Sequence, residues 1–135
     1  MSGKAGITRQ DIARLLDRFY ADARRDPLLG PIFARHIGSG AAEWSAHIGR
    51  IGDFWANVML KERAYQGNPM QAHLRVPALG EAEFARWLDL FQQSAIDTLP
   101  EPKAAVFDTL ARRIGASLLM GLHQSRSAVP DLKAV

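Results

Sequence analysis

The chain has no cysteine, and none of its apolar runs approaches the length of a membrane-spanning helix. The missing thiols exclude disulfide bonds, thiolate nucleophiles and cysteine-based zinc sites. The first residues, Met-Ser-Gly-Lys-Ala-Gly, lack the apolar stretch of a secretory signal peptide. No strand-like alternation of apolar and polar residues is visible, and no internal repeat. These absences lead us to expect a cytoplasmic protein built from helices, without a membrane partner.

Composition and charge limit the organisation of the chain. A length of 135 residues, 47% of them apolar, predicts a single domain over residues 1–135, with mobile tails at 1–8 and 125–135. The formal net charge is only +3. The arginines between Arg9 and Arg35 alternate with aspartates, which is typical of a solvated, mixed-charge helix surface rather than of a phosphate-binding stripe. We therefore expect no nucleic-acid partner.

Apolar residues recur at three- and four-residue intervals along most of the chain, the spacing of helices with one buried face. Asp26-Pro27, Gly38-Ser39-Gly40 and Pro100 interrupt this pattern and separate the helices. The residues from Ser125 onward have no such period. The pattern predicts an all-α fold with helices at Gln10–Arg24, Gly30–Ile37, Ala42–Leu60, Glu81–Thr98 and from about Pro102 to Leu122.

A very short helix is predicted between Asn68 and Pro77, and it carries His73. Asn68 suits the N-cap, Pro69 suits the first helical position, and Pro77 prevents the helix from continuing. A helix of about two turns has little stability of its own, so a bond from its imidazole to a metal centre would help to hold it. An isolated histidine on a short surface helix, however, is more often solvated than ligating.

Tyr20, His47 and Trp87 carry hydrogen-bonding groups and lie on the apolar stripes of three different predicted helices. Taken singly, each is more often a core residue whose polar tip is satisfied locally. Together they direct a phenol, an imidazole and an indole into one interior, and a closed apolar core has no use for so many donors. A polar guest such as a haem with a diatomic ligand would explain the set.

Several short motifs follow one another along the chain in a distinctive order and spacing. They are Phe19-Tyr20, Asp26-Pro27-Leu28-Leu29-Gly30-Pro31-Ile32-Phe33, Glu43-Trp44, His47, Ile51-Gly52-Asp53-Phe54-Trp55, the run from Gln66 to Leu74, and Trp87-Leu88. Their order and spacing resemble those of the truncated haemoglobins, and most closely those of their third group. The resemblance covers the chain from about Ile12 to Leu122. The paired glycines of the other groups are missing, and the interval from Phe33 to His47 is longer than in them.

This resemblance implies a truncated globin fold, a two-over-two sandwich of antiparallel helix pairs around haem b. His73 would then be the proximal ligand of the haem iron, and Tyr20, His47 and Trp87 would line the distal side. His47 could act as a gate and acid–base group or bind the iron as a sixth ligand, and we favour the gate because Tyr20 and Trp87 already supply donors to the pocket. The other implied haem contacts are packing by Phe33, apolar walls from Ile51, Phe54 and Trp55, and propionate pairing with Arg50 and Arg75.

The resemblance also implies binding of dioxygen and other small diatomic ligands, and it leaves the reaction and the oligomeric state open. Donors in the distal pocket would slow ligand release, which suits gas binding, sensing or redox detoxification better than bulk transport. Weak peroxidase activity, or redox chemistry with nitric oxide and oxygen, is also possible. The first would require peroxide as a ligand, and a reductase partner, which the sequence does not identify, could supply electrons. The alternative interpretation is a cofactor-free basic helical module that interacts with other macromolecules.

Overall fold

The computed structural model describes residues 6–63, 65, 67–69, 73, 76 and 79–134, with side chains as far as residue 125. These ranges are mainly helical and contain no strand, which confirms the all-α prediction. Pro69 and His73 are helical and Val76 is not, while residues 70–72, 74 and 75 lie outside the described ranges. None of the helices described is long and apolar enough to cross a membrane. The principal helices are α1 (Arg9–Ala23), α2 (Leu29–His36), α3 (Ala41–Leu60), α4 (Glu81–Thr98) and α5 (Glu101–Ala134).

Helix α1 begins with a capping box that is tied to α5. The Thr8 hydroxyl accepts a hydrogen bond from the Asp11 N–H at 3.1 Å, and the Asp11 carboxylate accepts one from the Thr8 N–H at 3.0 Å. Lys103 of α5 pairs with the same carboxylate at 2.7 Å. Burial raises the pKa of Asp11, but hydrogen bonds from Lys103, Thr8 and Arg14 outweigh it and bring the pKa down to about 2. The apolar stripe predicted for α1 is confirmed as buried at Ile12, Leu15, Leu16, Phe19, Tyr20 and Ala23.

A buried carboxylate, Asp26, fixes the start of α2. Asp26 is 5% exposed, and its Oδ2 accepts hydrogen bonds from the N–H groups of Leu28 and Leu29 at 3.1 and 3.0 Å. Its Oδ1 is paired with the guanidinium of Arg86 on α4, at 2.6 Å from Nη2 and 2.7 Å from Nε. Because one carboxylate satisfies two N–H groups at the start of α2 and also a cation on α4, it ties the two helices together.

The core is centred on Phe91 of α4, which is 1% exposed. Its ring lies 5.4 Å from Phe19 of α1, 5.4 Å from Trp55 of α3 and 6.4 Å from Phe107 of α5. Helices α4 and α5 follow each other after a very short connection and pack as an antiparallel pair, and α1 packs against both α3 and α4. The pairs α1–α3 and α4–α5 therefore meet around Phe91.

Helix α5 differs from its prediction in register and in length. Apolar spacing in this helix predicts that Val106 and Leu110 lie in the core, but both are half-buried, whereas their neighbours Phe107 and Ala111 are fully buried. Spacing alone does not distinguish the two registers, because both pairs are four residues apart. The helix also continues to Ala134, beyond its predicted end, because a helical backbone does not require apolar periodicity.

We expect replacement of Gly30 by alanine to destabilise the fold. A Cβ at this position would lie 2.7 Å from the carbonyl oxygen of Arg24, a backbone atom that cannot move without disturbing the connection from α1 to α2. Gly30→Ala should lower the free energy of unfolding in urea by about 1–3 kcal/mol, as overpacking does. Gly49→Ala is the matched control, because a Cβ there meets nothing within 4 Å. Since alanine is the better helix former, the control should be neutral or more stable by up to ~1 kcal/mol. Equal losses in both variants would contradict the steric account.

Candidate functional site

Tyr20 and His47 meet where α1 packs against α3. The Tyr20 hydroxyl oxygen lies 3.1 Å from Nε2 of His47, and the two rings are arranged edge to face with centroids 5.2 Å apart. Tyr20 is 5% exposed and His47 is half-buried. The structure thus brings two of the three predicted distal residues into one hydrogen-bonded pair.

Two further rings, Phe33 of α2 and Trp44 of α3, pack around this pair. Phe33 lies 5.7 Å from the Tyr20 ring, and Trp44 lies 5.7 Å from Tyr20 and 5.9 Å from His47. Trp44 stands three residues before His47, so both side chains project from the same face of α3. The indole N–H of Trp44 donates a 2.8 Å hydrogen bond to the carbonyl oxygen of Gly38. We call Tyr20, Phe33, Trp44 and His47 the distal cluster.

Burial keeps both titratable members of the distal cluster neutral near pH 7. It raises the pKa of the Tyr20 hydroxyl far above its usual range. Burial, with smaller electrostatic contributions from Arg50 and His73, lowers the pKa of His47 to about 4. Nε2 of the neutral imidazole either accepts a hydrogen bond from the Tyr20 O–H or, in the other tautomer, donates its own N–H to the Tyr20 oxygen. In the second tautomer the O–H of Tyr20 is available to another acceptor.

A hydrogen bond to the backbone fixes the orientation of His73. Nδ1 of the imidazole lies 2.6 Å from the carbonyl oxygen of Pro69, four residues earlier. Because a carbonyl can only accept, Nδ1 carries a proton, and in the neutral imidazole the lone pair is then on Nε2. The ring also stacks on Phe84 of α4, with centroids 5.9 Å apart and planes inclined by 29°. Metal-binding histidines commonly donate their other N–H to a backbone carbonyl in this way.

A second anchor holds the chain between α3 and His73. The side-chain oxygen of Asn57 accepts a hydrogen bond from the Tyr65 N–H at 3.1 Å, and its amide nitrogen lies 3.5 Å from the Tyr65 carbonyl oxygen. The Tyr65 ring lies edge-on to Phe54, with centroids 5.5 Å apart. These contacts hold Tyr65, eight residues before His73, against α3, the helix that carries His47.

Trp87, the third predicted distal residue, is separated from the distal cluster by one ring. It is half-buried on α4 and lies 6.0 Å from Phe19, which in turn lies 4.9 Å from Tyr20. Among the described residues, Trp87 makes neither a ring contact nor a hydrogen bond with the polar members of the distal cluster. Trp87 stands one turn after Phe84 on α4. The ring that stacks on His73 and the predicted donor Trp87 therefore lie on the same face of this helix.

The predicted wall residues on α3 fall in two different places. Ile51 and Phe54 are half-buried, and Phe54 lines an apolar cavity of about 590 Å³ that also includes Pro69. Trp55 instead lies in the core, where it is 2% exposed and stacked on Phe91 with centroids 5.4 Å apart. A role for Trp55 in a cofactor site stays a prediction.

Of the two predicted propionate partners, one is described. Arg50 is exposed on α3 and lines a cavity of about 600 Å³ between α1 and α3, together with Arg9 and Asp17. Its charge contributes to the low pKa of His47. Arg75 lies outside the described residues.

Three contributors to the site were missed at the sequence level, namely Trp44, Phe84 and the backbone carbonyl of Pro69. Trp44 and Phe84 have the residue type and spacing of ordinary apolar helix faces, and only tertiary packing brings Phe84 against His73. The separation of three residues between Trp44 and His47 is the one signal that could have indicated their contact.

Known proteins resemble this chain over most of its length, although no protein-family model matches it. The group 3 truncated haemoglobin ctb of Campylobacter jejuni is 42% identical over 88 residues, which are 65% of this chain and 69% of that protein. The crystal structure of a group III truncated haemoglobin from Campylobacter jejuni matches with a TM-score of 0.83 and 35% identity, covering 89% of this chain and 94% of that one.

The fold is thus that of a globin, and the predicted truncated globin fold is confirmed. More narrowly, the chain belongs to the truncated haemoglobins of group III.

We expect His47 to make the stability of the protein depend on pH. The ordinary pKa of 6.5 applies to the unfolded chain, whereas the value in the folded protein is about 4. The unfolded chain therefore takes up the proton first, so the stability that neutral His47 provides is complete above pH 6.5 and is lost as the pH falls towards 4. Urea unfolding across this range should give a steeper loss for the wild type than for His47→Leu, which has no imidazole to titrate. Parallel profiles would contradict a neutral, buried His47.

Proposed function

We propose that this truncated haemoglobin binds haem b through Nε2 of His73 and holds dioxygen, or another small diatomic ligand, beside the distal cluster. The observation that carries the proposal is the 2.6 Å hydrogen bond from the Nδ1–H of His73 to the Pro69 carbonyl. This bond selects the neutral tautomer whose lone pair is on Nε2, and it orients the ring, both of which ligation of iron requires. The relationship to the truncated haemoglobins of Campylobacter jejuni supports the same cofactor.

The chain also offers an apolar surface of suitable size for a large flat ring. The cavity of about 590 Å³ is an open groove bordered by α3, by α5 and by Asn68 and Pro69. Leu110, Ile114 and Leu118 of α5 supply its aliphatic wall. His47 and Phe54 stand seven residues apart on α3, or about 10 Å along its axis, so a ring lying along this face would contact both.

Haem, when bound, supplies an open iron coordination position at which diatomic or peroxide ligands react. The residues of the chain determine what happens to such a ligand. Burial keeps Tyr20 protonated. When His47 donates its Nε2–H to the hydroxyl oxygen of Tyr20, the Tyr20 O–H can turn towards the ligand. Each hydrogen bond donated to a ligand that carries partial negative charge is worth about 1 kcal/mol or more in a water-poor pocket.

Slow release of the ligand is the expected consequence of these donors. It suits sensing, scavenging or redox detoxification, because a carrier must unload readily. Peroxide turnover is a second candidate function, favoured by the pKa of about 4 for His47. That value leaves the imidazole unprotonated near pH 7, which is the state in which it can take a proton from a peroxide.

The first test concerns the proximal ligand. Protein purified from haem-sufficient cells should show a Soret band, and His73→Ala should lose stable haem or regain it only with added imidazole. His36→Ala and His123→Ala are matched controls, because both residues are exposed, and both variants should keep their haem. Full retention of a native five-coordinate ferrous spectrum by His73→Ala without imidazole would overturn the assignment. Colourless wild-type protein would leave only a cofactor-free interaction module.

The second test concerns the distal donors. Tyr20→Phe and Trp87→Phe should each accelerate dioxygen release, by about tenfold if ~1.4 kcal/mol of stabilisation is lost. Because Trp87 has no described contact with the Tyr20–His47 pair, its effect should add to that of Tyr20. Tyr20→Phe and His47→Leu should instead be non-additive, since these two side chains share one hydrogen bond. Release rates measured by stopped flow check both statements, and parental rates in both single variants would mean that neither donor engages the ligand.

A further inference from the structure

We propose that Trp44 is the positioning residue of the distal side, and that it holds Tyr20 and His47 in their hydrogen-bonded pair. The consequence for ligand binding rests on the proposed function, whereas the contacts that carry the proposal involve only side chains of the chain itself.

Trp44 touches every other member of the distal cluster. Its ring centroid lies 5.7 Å from Tyr20, 5.8 Å from Phe33 and 5.9 Å from His47, and the side chain is 4% exposed. A buried indole in contact with both partners of a hydrogen bond limits the movement of each. Trp44 is therefore placed to determine whether the Tyr20–His47 bond persists.

The geometry of α3 makes this limit specific for His47. Side chains on a helix lean back towards its N-terminus, so His47 lies over the turn that carries Trp44. The planes of the two rings are inclined by 85°, so one ring meets the other edge to face. Because the indole fills the space beside the imidazole, His47 keeps the orientation that reaches Tyr20.

The Trp44 indole is itself held by a hydrogen bond at its edge and by a cation over its face. Its Nε1–H donates to the carbonyl oxygen of Gly38 at 2.8 Å, and Gly38 has a φ of +104°, which side-chain-bearing residues rarely adopt. The guanidinium carbon of Arg24, just after α1, lies 4.4 Å from the centre of the Trp44 ring. A cation over an indole face is attracted by the ring quadrupole. Trp44 is thus fixed by the α2–α3 connection and by the end of α1.

The test compares Trp44→Phe and Trp44→Ala by histidine-selective ¹⁵N NMR and by ligand release. In the wild type we expect one hydrogen-bonded state of Nε2 of His47. Trp44→Ala should average or lose that state, and Trp44→Phe, which keeps a ring but loses the bond to Gly38, should retain it in part. Dioxygen release should accelerate about fivefold in Trp44→Ala and less in Trp44→Phe.

A double-mutant comparison separates positioning from a general loss of stability. If Trp44 acts through the Tyr20–His47 bond, Trp44→Ala should add nothing to the release rate of Tyr20→Phe. Phe107→Leu controls for lost core packing, because Phe107 is fully buried but contacts Trp55 and Phe91 rather than the distal cluster. It should leave both the His47 signal and the release rate unchanged.

Arg24→Gln, with its exposed neighbour Arg25→Gln as control, tests the cation on the indole without removing any ring. Only Arg24→Gln should shift the His47 signal, and this pair carries the test should Trp44→Ala fail to fold. An unchanged His47 signal in both Trp44→Phe and Arg24→Gln, or additivity with Tyr20→Phe, would overturn the proposal. A preparation without haem would refute the proposed function alone, because the NMR comparison would still report on the pair.

Discussion

The packing of aromatic rings around Phe91 determines where the long helices of this protein lie. Rings from all of them close on a side chain that is 1% exposed, and each aromatic pair contributes about 0.5–1.5 kcal/mol beyond the burial of its area. This arrangement also places Tyr20 and His47, because each is on the same helix as one of the rings that enclose Phe91. Tyr20 adjoins one of these rings, and His47 precedes another by eight residues on the same helix. The enclosing rings are Phe19, Trp55, Trp87 and Phe107.

The two sides of the candidate site are held by different kinds of bond. His73 is oriented by the backbone carbonyl of Pro69, four residues earlier. The Tyr20–His47 pair depends on side chains from two helices, and neither partner is charged near pH 7. The donor of His73 is therefore fixed by the backbone, whereas the hydrogen bond between Tyr20 and His47 can change its direction without movement of the backbone.

Local signals in the sequence predicted most of the fold and the core of the site. The limits of α4 were correctly identified, because apolar period acts over a few residues. The approach of Tyr20 to His47 followed from two apolar stripes facing one interior. What could not be predicted depends on helix rotation and translation. Whether Trp87 reaches Tyr20 or is kept away by an intervening ring is decided by a few ångströms of packing, which residue spacing does not encode. The same limit applies to Trp55, whose place on α3 suits the pocket and the core equally well.

The open surroundings of Gly49 have a practical consequence. This residue stands two positions after His47 on α3, a side chain built there would meet nothing within 4 Å, and the chain contains no cysteine. A cysteine introduced at position 49 would therefore be the single thiol of the molecule and accessible to a reagent. A spin label or fluorophore attached to it would sit within one helical turn of the imidazole. Movements of this part of α3 could then be followed directly in solution, without altering any residue of the distal cluster.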